Sequence, residues 1–219
     1  MSIGILFDLD GTLLDTLEDL TDSVNHTLRQ FGCPERTLEE IRSFVGNGAY
    51  QLVARSLPGT ENDPPAEEVL SVYQDYYRQH SQCKTAPYPG ILEQLREIAG
   101  RYPVAIVSNK PDRAVKSLCR EFFGDIYALG QTDDCPHKPA PDMLFRAMCD
   151  IGVDRCVYVG DSEVDVATAR NAGVPCLSVL WGFRDQACLE SAGATHFCTE
   201  PASLSRALEA LAKGEENGK

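Results

Sequence analysis

No run of apolar residues in this sequence approaches the roughly 18 that a membrane-crossing helix needs, and no basic segment precedes the apolar strand pattern at the N-terminus. Neither a membrane span nor a secretory signal is expected. Runs of Lys or Arg are also missing. The 20 basic residues face 33 acidic ones, a net charge of −13, which argues against a nucleic-acid backbone or an anionic membrane as a partner. The four histidines are scattered singly, and none of the nine cysteines forms a Cys-x-x-Cys pair, so no structural zinc site is expected. Most cysteines stand in apolar runs, such as Cys156 before Val157 and Cys176 before Leu177. They read as small buried hydrophobes in a reducing cytoplasm. Internal repeats and low-complexity tracts are absent. A chain of 219 residues with 43% hydrophobic content buries enough surface to fold without disulfides or metal. Its acidity has one cost: an anionic substrate would need local positive charge, from a metal ion or a few placed Lys and Arg residues.

What is present is an alternation. Short β-rich apolar runs occur at 3–9, 104–107, 126–129, 156–159, 175–180 and, weakly, 195–198. Helix-period segments lie between them, for example Ile91, Leu92, Leu95, Ile98 and then Val115, Leu118, Phe122. Continuous apolar strands alternating with helices predict an α/β fold, a parallel sheet with helices on both faces. Pro111 and Pro141 sit where helices should start, and Gly173 where one should end.

One stretch breaks the alternation. From 14 to 84 there is no strand signal, only successive helical patterns: Leu17, Leu20, Val24, Leu28, Phe31; a capping box from Thr37 to Glu40; 49–57; and Val69, Tyr73, Tyr76. Residues 58–65 form a loop by composition. This predicts an all-helical insert directly after the first strand. The polar C-terminus, from about Lys213, is expected to fray.

Ligands of α/β sheets bind at the carboxyl ends of the strands, and those positions carry chemistry. After the first strand comes Asp8-Leu9-Asp10-Gly11-Thr12. Two acids spaced i, i+2 put both carboxylates on one side, and Gly11 permits a sharp turn. Like charges this close are costly unless a cation lies between them or one is protonated. The second run ends in Ser108-Asn109-Lys110, which either holds phosphate oxygens at a strand-to-helix junction or caps the helix before Pro111. Lys138 has two prolines beside it and reads either as a fixed ammonium or as a solvated loop lysine. After 156–159 comes Gly160-Asp161-Ser162-Glu163-Val164-Asp165, a second acidic strand end, with Asp161 and Asp165 four apart and on one helix face. A first-turn preference for acids accounts for Asp165 but less well for Asp161. Hard oxygen ligands of this kind suit Mg²⁺, which bridges carboxylates to phosphate.

These four motifs, in this order, resemble the haloacid dehalogenase (HAD) superfamily across nearly the whole chain: DLDGT, SNK, KPAP and GDSEVD all match its pattern. The resemblance implies a Rossmann-like core domain (1–13 and 85–219) and a helical (C1) cap domain (14–84). It implies a Mg²⁺-dependent phosphohydrolase in which Asp8 attacks phosphorus to form an aspartyl-phosphate, and Asp10 protonates the leaving oxygen and then activates water. On the same resemblance, Mg²⁺ is held by the Asp8 carboxylate, the Asp10 backbone carbonyl and Asp161, with Asp165 supporting from behind. Phosphoryl oxygens fall to Ser108 and Asn109 and to the Gly11-Thr12 turn, and Lys138 offsets the gathered negative charge. The chain is most similar to the phosphoglycolate phosphatase-like branch, through Asp15-Thr16, the Phe44-to-Ala49 segment and Leu52-Val53-Ala54-Arg55. That likeness implies that Gly46, Asn47 and Gly48 meet the leaving group. Arg55 either pairs with a small carboxylate there or is an exposed helix residue.

A small phosphorylated metabolite is thus the expected partner, with 2-phosphoglycolate the first choice, and the protein is expected in the cytoplasm as a monomer or homodimer. Pyrophosphatase, nucleotidase and phosphosugar phosphatase or mutase activities stay open. A non-catalytic binding or regulatory module predicts decay of the catalytic set, and every member is present. A dehalogenase would not need Asp10. A phosphonate hydrolase would use a cap lysine as a Schiff base, and Lys84, at the very end of the insert, is the sole lysine there.

Overall fold

The computed structural model describes residues 2–217. The first apolar run forms β1 (Ile3–Phe7), every residue buried. Five more strands pair beside it in parallel: β4 (Val104–Pro111), β5 (Tyr127–Gln131), β6 (Arg155–Gly160), β7 (Cys176–Val179) and β8 (Phe197–Cys198), in the spatial order β5-β4-β1-β6-β7-β8. Phe7 is in register with Ile106 on one side and Val159 on the other. The chain therefore reverses its direction of travel across the sheet between β1 and β6. Such a switch point is where α/β sheets bind ligands.

Strand alternation divides the core in two. Ile3, Ile5 and Phe7 face α5 (Ile91–Ala99), α6 (Asp112–Phe123) and α10 (Leu204–Asn217), packing on Leu95, Leu118 and Leu208. Leu6, Val107 and Tyr158 face α7 (Asp142–Asp150) and α8 (Glu163–Ala172), packing on Met143, Leu144 and Ala169. The remaining core helix is α9 (Gln186–Ala192). Pro111 and Pro141 directly precede α6 and α7, and Gly173 closes α8 in the left-handed conformation. The helix at the C-terminus is longer than the polar composition suggests: it runs to Asn217, and the rest of the expected fraying end lies outside the described residues.

Between β1 and β4 the helices α1 (Leu17–Gln30), α2 (Leu38–Phe44), α3 (Gly48–Ser56) and α4 (Ala66–His80) enclose their own apolar cluster. Thr37 and Glu40 form the predicted capping box. The predicted face of α4 needs one correction. Steps of four from Val69 and Tyr73 bury Tyr77, whereas Tyr76 is half-buried and stacks between His26 and His80, with ring centroids 3.7 and 3.9 Å away.

The stretch is not wholly free of strand. β2 (Leu14–Asp15) pairs antiparallel with β3 (Ala86–Pro87), and this two-residue ribbon joins the entry and exit of the helical segment. Two residues are too few to show a period. Buried Asp19 reinforces the joint, accepting hydrogen bonds from the Lys84 and Thr85 N–H groups and from the Thr85 hydroxyl at 2.7–3.0 Å.

The cysteines also depart from expectation. All nine are free thiols, but only Cys119, Cys156 and Cys198 are buried, and Cys83 and Cys149 are exposed. Apolar neighbours in sequence do not put a residue on the inward face of its own helix or strand.

Candidate active site

Asp8 directly follows β1, and Asp161 directly follows β6. The two acids thus flank the switch point. The turn after Asp8 brings them close: Gly11 has φ +81° and lies so near Asp161 that a Cβ there would come within 2.3 Å of its Oδ2. Only glycine satisfies both conditions. Thr12 donates its hydroxyl to Asp161 Oδ1 at 3.0 Å, and the Phe183 N–H donates to Oδ2 at 2.7 Å.

Lys138 is the hub beneath them. It is 2% exposed, and its ammonium reaches Asp8 Oδ1 (2.9 Å), Asp165 Oδ1 (2.8 Å) and the Tyr158 hydroxyl (2.9 Å). Three N–H donors meet three acceptors. Burial works to lower the Lys138 pKa, but Asp165 and Asp8 together raise it overall, so the ammonium stays charged. Asp165 is equally committed. Its Oδ1 accepts from Lys138 and Tyr158, and its Oδ2 from the N–H and hydroxyl of Ser162. It holds the site from behind.

Carboxylate oxygens of Asp8, Asp161 and Asp165 lie within 4.8 Å of one another, all buried. Burial pushes Asp161 well above the usual carboxylate range, with Asp165 and Asp8 adding repulsion. Burial, then Asp165, raises Asp8 to about 7 against the pull of Lys138. One ammonium is too little charge for three buried carboxylates, so the cluster calls for a further cation. Asp8 and Asp161 line the cavity, whereas Asp165 does not and already accepts two hydrogen bonds at each oxygen. A hard divalent ion therefore fits at Asp8 and Asp161.

Asp10 lies apart from this cluster. Its Oδ1 accepts from the Thr16 hydroxyl at 2.7 Å and from the Lys110 ammonium at 2.9 Å. Lys110 also donates to the Tyr77 hydroxyl at 2.8 Å and sits 4.7 Å from the centre of that ring. In the sequence Lys110 stands within SNK without an evident role, and Tyr77 carries no functional signal. A charged residue ending a buried strand was the available signal for Lys110, whereas nothing local pairs positions 77 and 110.

Strand β4 runs four residues past the expected end at Val107, with its register to β5 broken between Val107 and Pro111. Ser108, Asn109 and Lys110 therefore belong to the strand, and Ser108 does not cap α6. Its hydroxyl accepts the Lys110 N–H at 3.2 Å and lines the cavity. Asn109 acts as a clamp: its amide exchanges hydrogen bonds with the Lys138 N–H and C=O at 2.8 and 2.9 Å and donates to the Gly46 carbonyl at 3.1 Å.

Asp8, Asp10, Ser108, Lys138 and Asp161 open onto one cavity of about 460 Å³. The helical insert forms its opposite wall with Gly46, Gly48, Leu52, Tyr73 and Tyr77. Asn47 precedes α3 and does not line the cavity. Arg55 does not reach it either. It is exposed at the far end of α3 and donates to the Phe44 carbonyl at 3.0 Å. Core and insert are also stapled by Arg184, which pairs with Glu163 at 2.7 Å and donates to the carbonyls of Arg42 (2.7 Å) and Val45 (2.8 Å). Beside it, Phe183 enters the insert's apolar cluster.

A family model described as haloacid dehalogenase-like hydrolase matches residues 5–179. A phosphoglycolate phosphatase of Pseudomonas putida is 35% identical over 190 residues, which is 82% of this chain and 70% of that protein. One from Rhodobacter capsulatus is 35% identical over 193 residues, covering 84% and 87%. Among solved structures, one from Lactobacillus delbrueckii subsp. bulgaricus matches with a TM-score of 0.86 and 37% identity, over 94% of this chain and 97% of that one. CbbY from Rhodobacter sphaeroides, solved in complex with phosphate, matches with a TM-score of 0.77 and 25% identity, over 95% and 100%.

Proposed function

This chain belongs to the haloacid dehalogenase-like hydrolases, and on that basis we propose that it is a Mg²⁺-dependent phosphatase of small phosphate monoesters, with 2-phosphoglycolate as substrate. The observation that carries the reading is the placing of Asp8 and Asp10 on one cavity, each paired with its own buried lysine. The substrate choice rests on the phosphoglycolate phosphatases to which the chain is similar.

In this reading an Asp8 oxygen attacks phosphorus, the bond to the leaving oxygen breaks, and Asp10 delivers its proton to that oxygen. Asp10 then takes a proton from the water that splits the aspartyl-phosphate, which returns both carboxyls to their starting state. Thr16 and Lys110 fix the Asp10 carboxylate for both steps. Lys138 holds Asp8 in place and offsets the charge that the phosphate adds. Ser108 and neighbouring N–H groups take the phosphoryl oxygens. Residues 14–84 act as the cap: Tyr73, Tyr77 and Leu52 face the leaving group and exclude bulk water. The Asp8 and Asp161 carboxylates and the Asp10 backbone carbonyl, with Asp165 behind them, would hold Mg²⁺, which would supply the positive charge that keeps Asp8 ionised and draws in an anionic substrate.

The setting is the cytoplasm, as a monomer or homodimer. No helix among the described residues is long and apolar enough to cross a membrane, and free thiols suit a reducing compartment.

The test is phosphate release with Mg²⁺ from 2-phosphoglycolate, pyrophosphate and a phosphosugar, with Asp8→Asn as control. Preference for 2-phosphoglycolate, lost in Asp8→Asn, supports the whole reading. Release from another substrate, also lost in the variant, keeps the nucleophile and replaces the substrate. Activity that survives in Asp8→Asn removes Asp8 as nucleophile.

A further inference from the structure

Resting on the phosphatase reading, we infer that Lys110 selects substrates whose leaving group carries a carboxylate. The cavity is poor in available positive charge. Its acids Asp8, Asp10 and Asp161 repel a carboxylate, and Leu52, Tyr73 and Leu20 offer it no charge. Lys138 has no donor left, since Asp8, Asp165 and the Tyr158 hydroxyl take all three of its N–H groups. Arg55 does not line the cavity and donates to the Phe44 carbonyl. Arg113 and Arg78 also line the cavity but are exposed to solvent, which screens their charge, and Arg78 is paired with Asp75 at 3.0 Å.

Lys110 differs from all of these. It is 7% exposed, lines the cavity, and has two contacts, to Asp10 Oδ1 and the Tyr77 hydroxyl. An ammonium has three N–H donors, so one remains for a ligand. Its position also fits the chemistry. Asp10 is the group that meets the leaving oxygen, and Lys110 is hydrogen-bonded to Asp10. In a 2-phospho-carboxylic acid the carboxylate carbon is two bonds from that oxygen, so the carboxylate falls beside the ammonium next to Asp10. Because Lys110 comes from β4 and Tyr77 from α4, this subsite is complete only with the helical insert seated on the core.

The experiment is calorimetric binding to full-length Asp8→Asn protein with Mg²⁺, comparing 2-phosphoglycolate with 2-hydroxyethyl phosphate, a ligand of similar size without the carboxylate. The first ligand is expected to bind about ten- to a hundredfold more tightly, the range of a charge-assisted hydrogen bond. Adding Lys110→Met should abolish that ratio, and Lys110→Arg should keep most of it. If Lys110→Met does not fold, Lys110→Gln, which keeps an N–H for Asp10 but no charge, serves instead. Equal weakening of both ligands would show that Lys110 acts only through Asp10. An unchanged ratio, or no preference before the lysine is altered, would also overturn the inference. Failure of the phosphatase reading would appear separately, as no phosphate release from any monoester by the unmodified protein.

Discussion

The ammonium of Lys138 lies 2.8 Å from Asp165 Oδ1, with the two side chains 2% and 0% exposed. Removing one member of such a pair strands the other without water, so Lys138→Met is expected to lower the unfolding free energy by about 3–5 kcal/mol. Urea denaturation measures this. A midpoint and slope equal to those of the unmodified chain would show that the pair contributes no net stability.

Asp19 accepts three donors from Lys84 and Thr85, where the helical insert returns to the core. Asp19→Ala leaves two backbone N–H groups and a hydroxyl without their partner, at a cost of about 2–4 kcal/mol. Trypsin should then cut after Lys84 earlier than in the unmodified protein. If mass spectrometry finds the cleavage order unchanged, Asp19 does not fasten that end.

Burial and Asp165 raise the Asp8 carboxyl from 3.8 to about 7. Between those values the folded chain keeps a proton that the unfolded chain has released. In the metal-free protein this contribution therefore favours folding below about pH 4 and is lost as pH rises toward about 7. Thermal scans in chelator should show a melting temperature that falls over this window, and Asp8→Asn should flatten the fall. Mg²⁺ should restore stability most strongly near pH 8, where the ionised carboxylates have most need of a cation. Parallel profiles for the two proteins would contradict the assignment to Asp8.

Gly182 has no room for a side chain. A Cβ there would stand 2.3 Å from the Cβ of buried Asp161 and 2.4 Å from the Gly11 backbone carbonyl oxygen. Gly182→Ala should therefore displace Asp161, reducing Mg²⁺ affinity more than it reduces the melting temperature. Calorimetric titration with Mg²⁺ would expose the opposite result at once.

The parallel sheet was legible because its strands are apolar throughout and bounded by turn residues. The acids were legible because chemistry in this class of fold collects at strand ends, so Asp8, Asp10 and Asp161 needed only the local pattern. What escaped were relations between distant positions. The pairing of Leu14 with Pro87 and the reach of Tyr77 to Lys110 have no local signature. Tyr158 looked like any strand residue, yet its hydroxyl serves Lys138 and Asp165 at the base of the site. For Arg55 the exposed-residue reading holds, for a related reason: the direction of a helical side chain depends on how the helix docks, and α3 turns its N-terminal end to the cavity.

The ribbon of β2 and β3 gives the molecule a modular character. Its two strands run side by side, so the helical segment leaves and rejoins the core at points only about 5 Å apart. To the core, the whole segment is a single long loop whose closure is already made. A different bundle with adjacent ends could be exchanged there without disturbing the strand order, and substrate preference could change while Asp8 and Asp161 stay where they are.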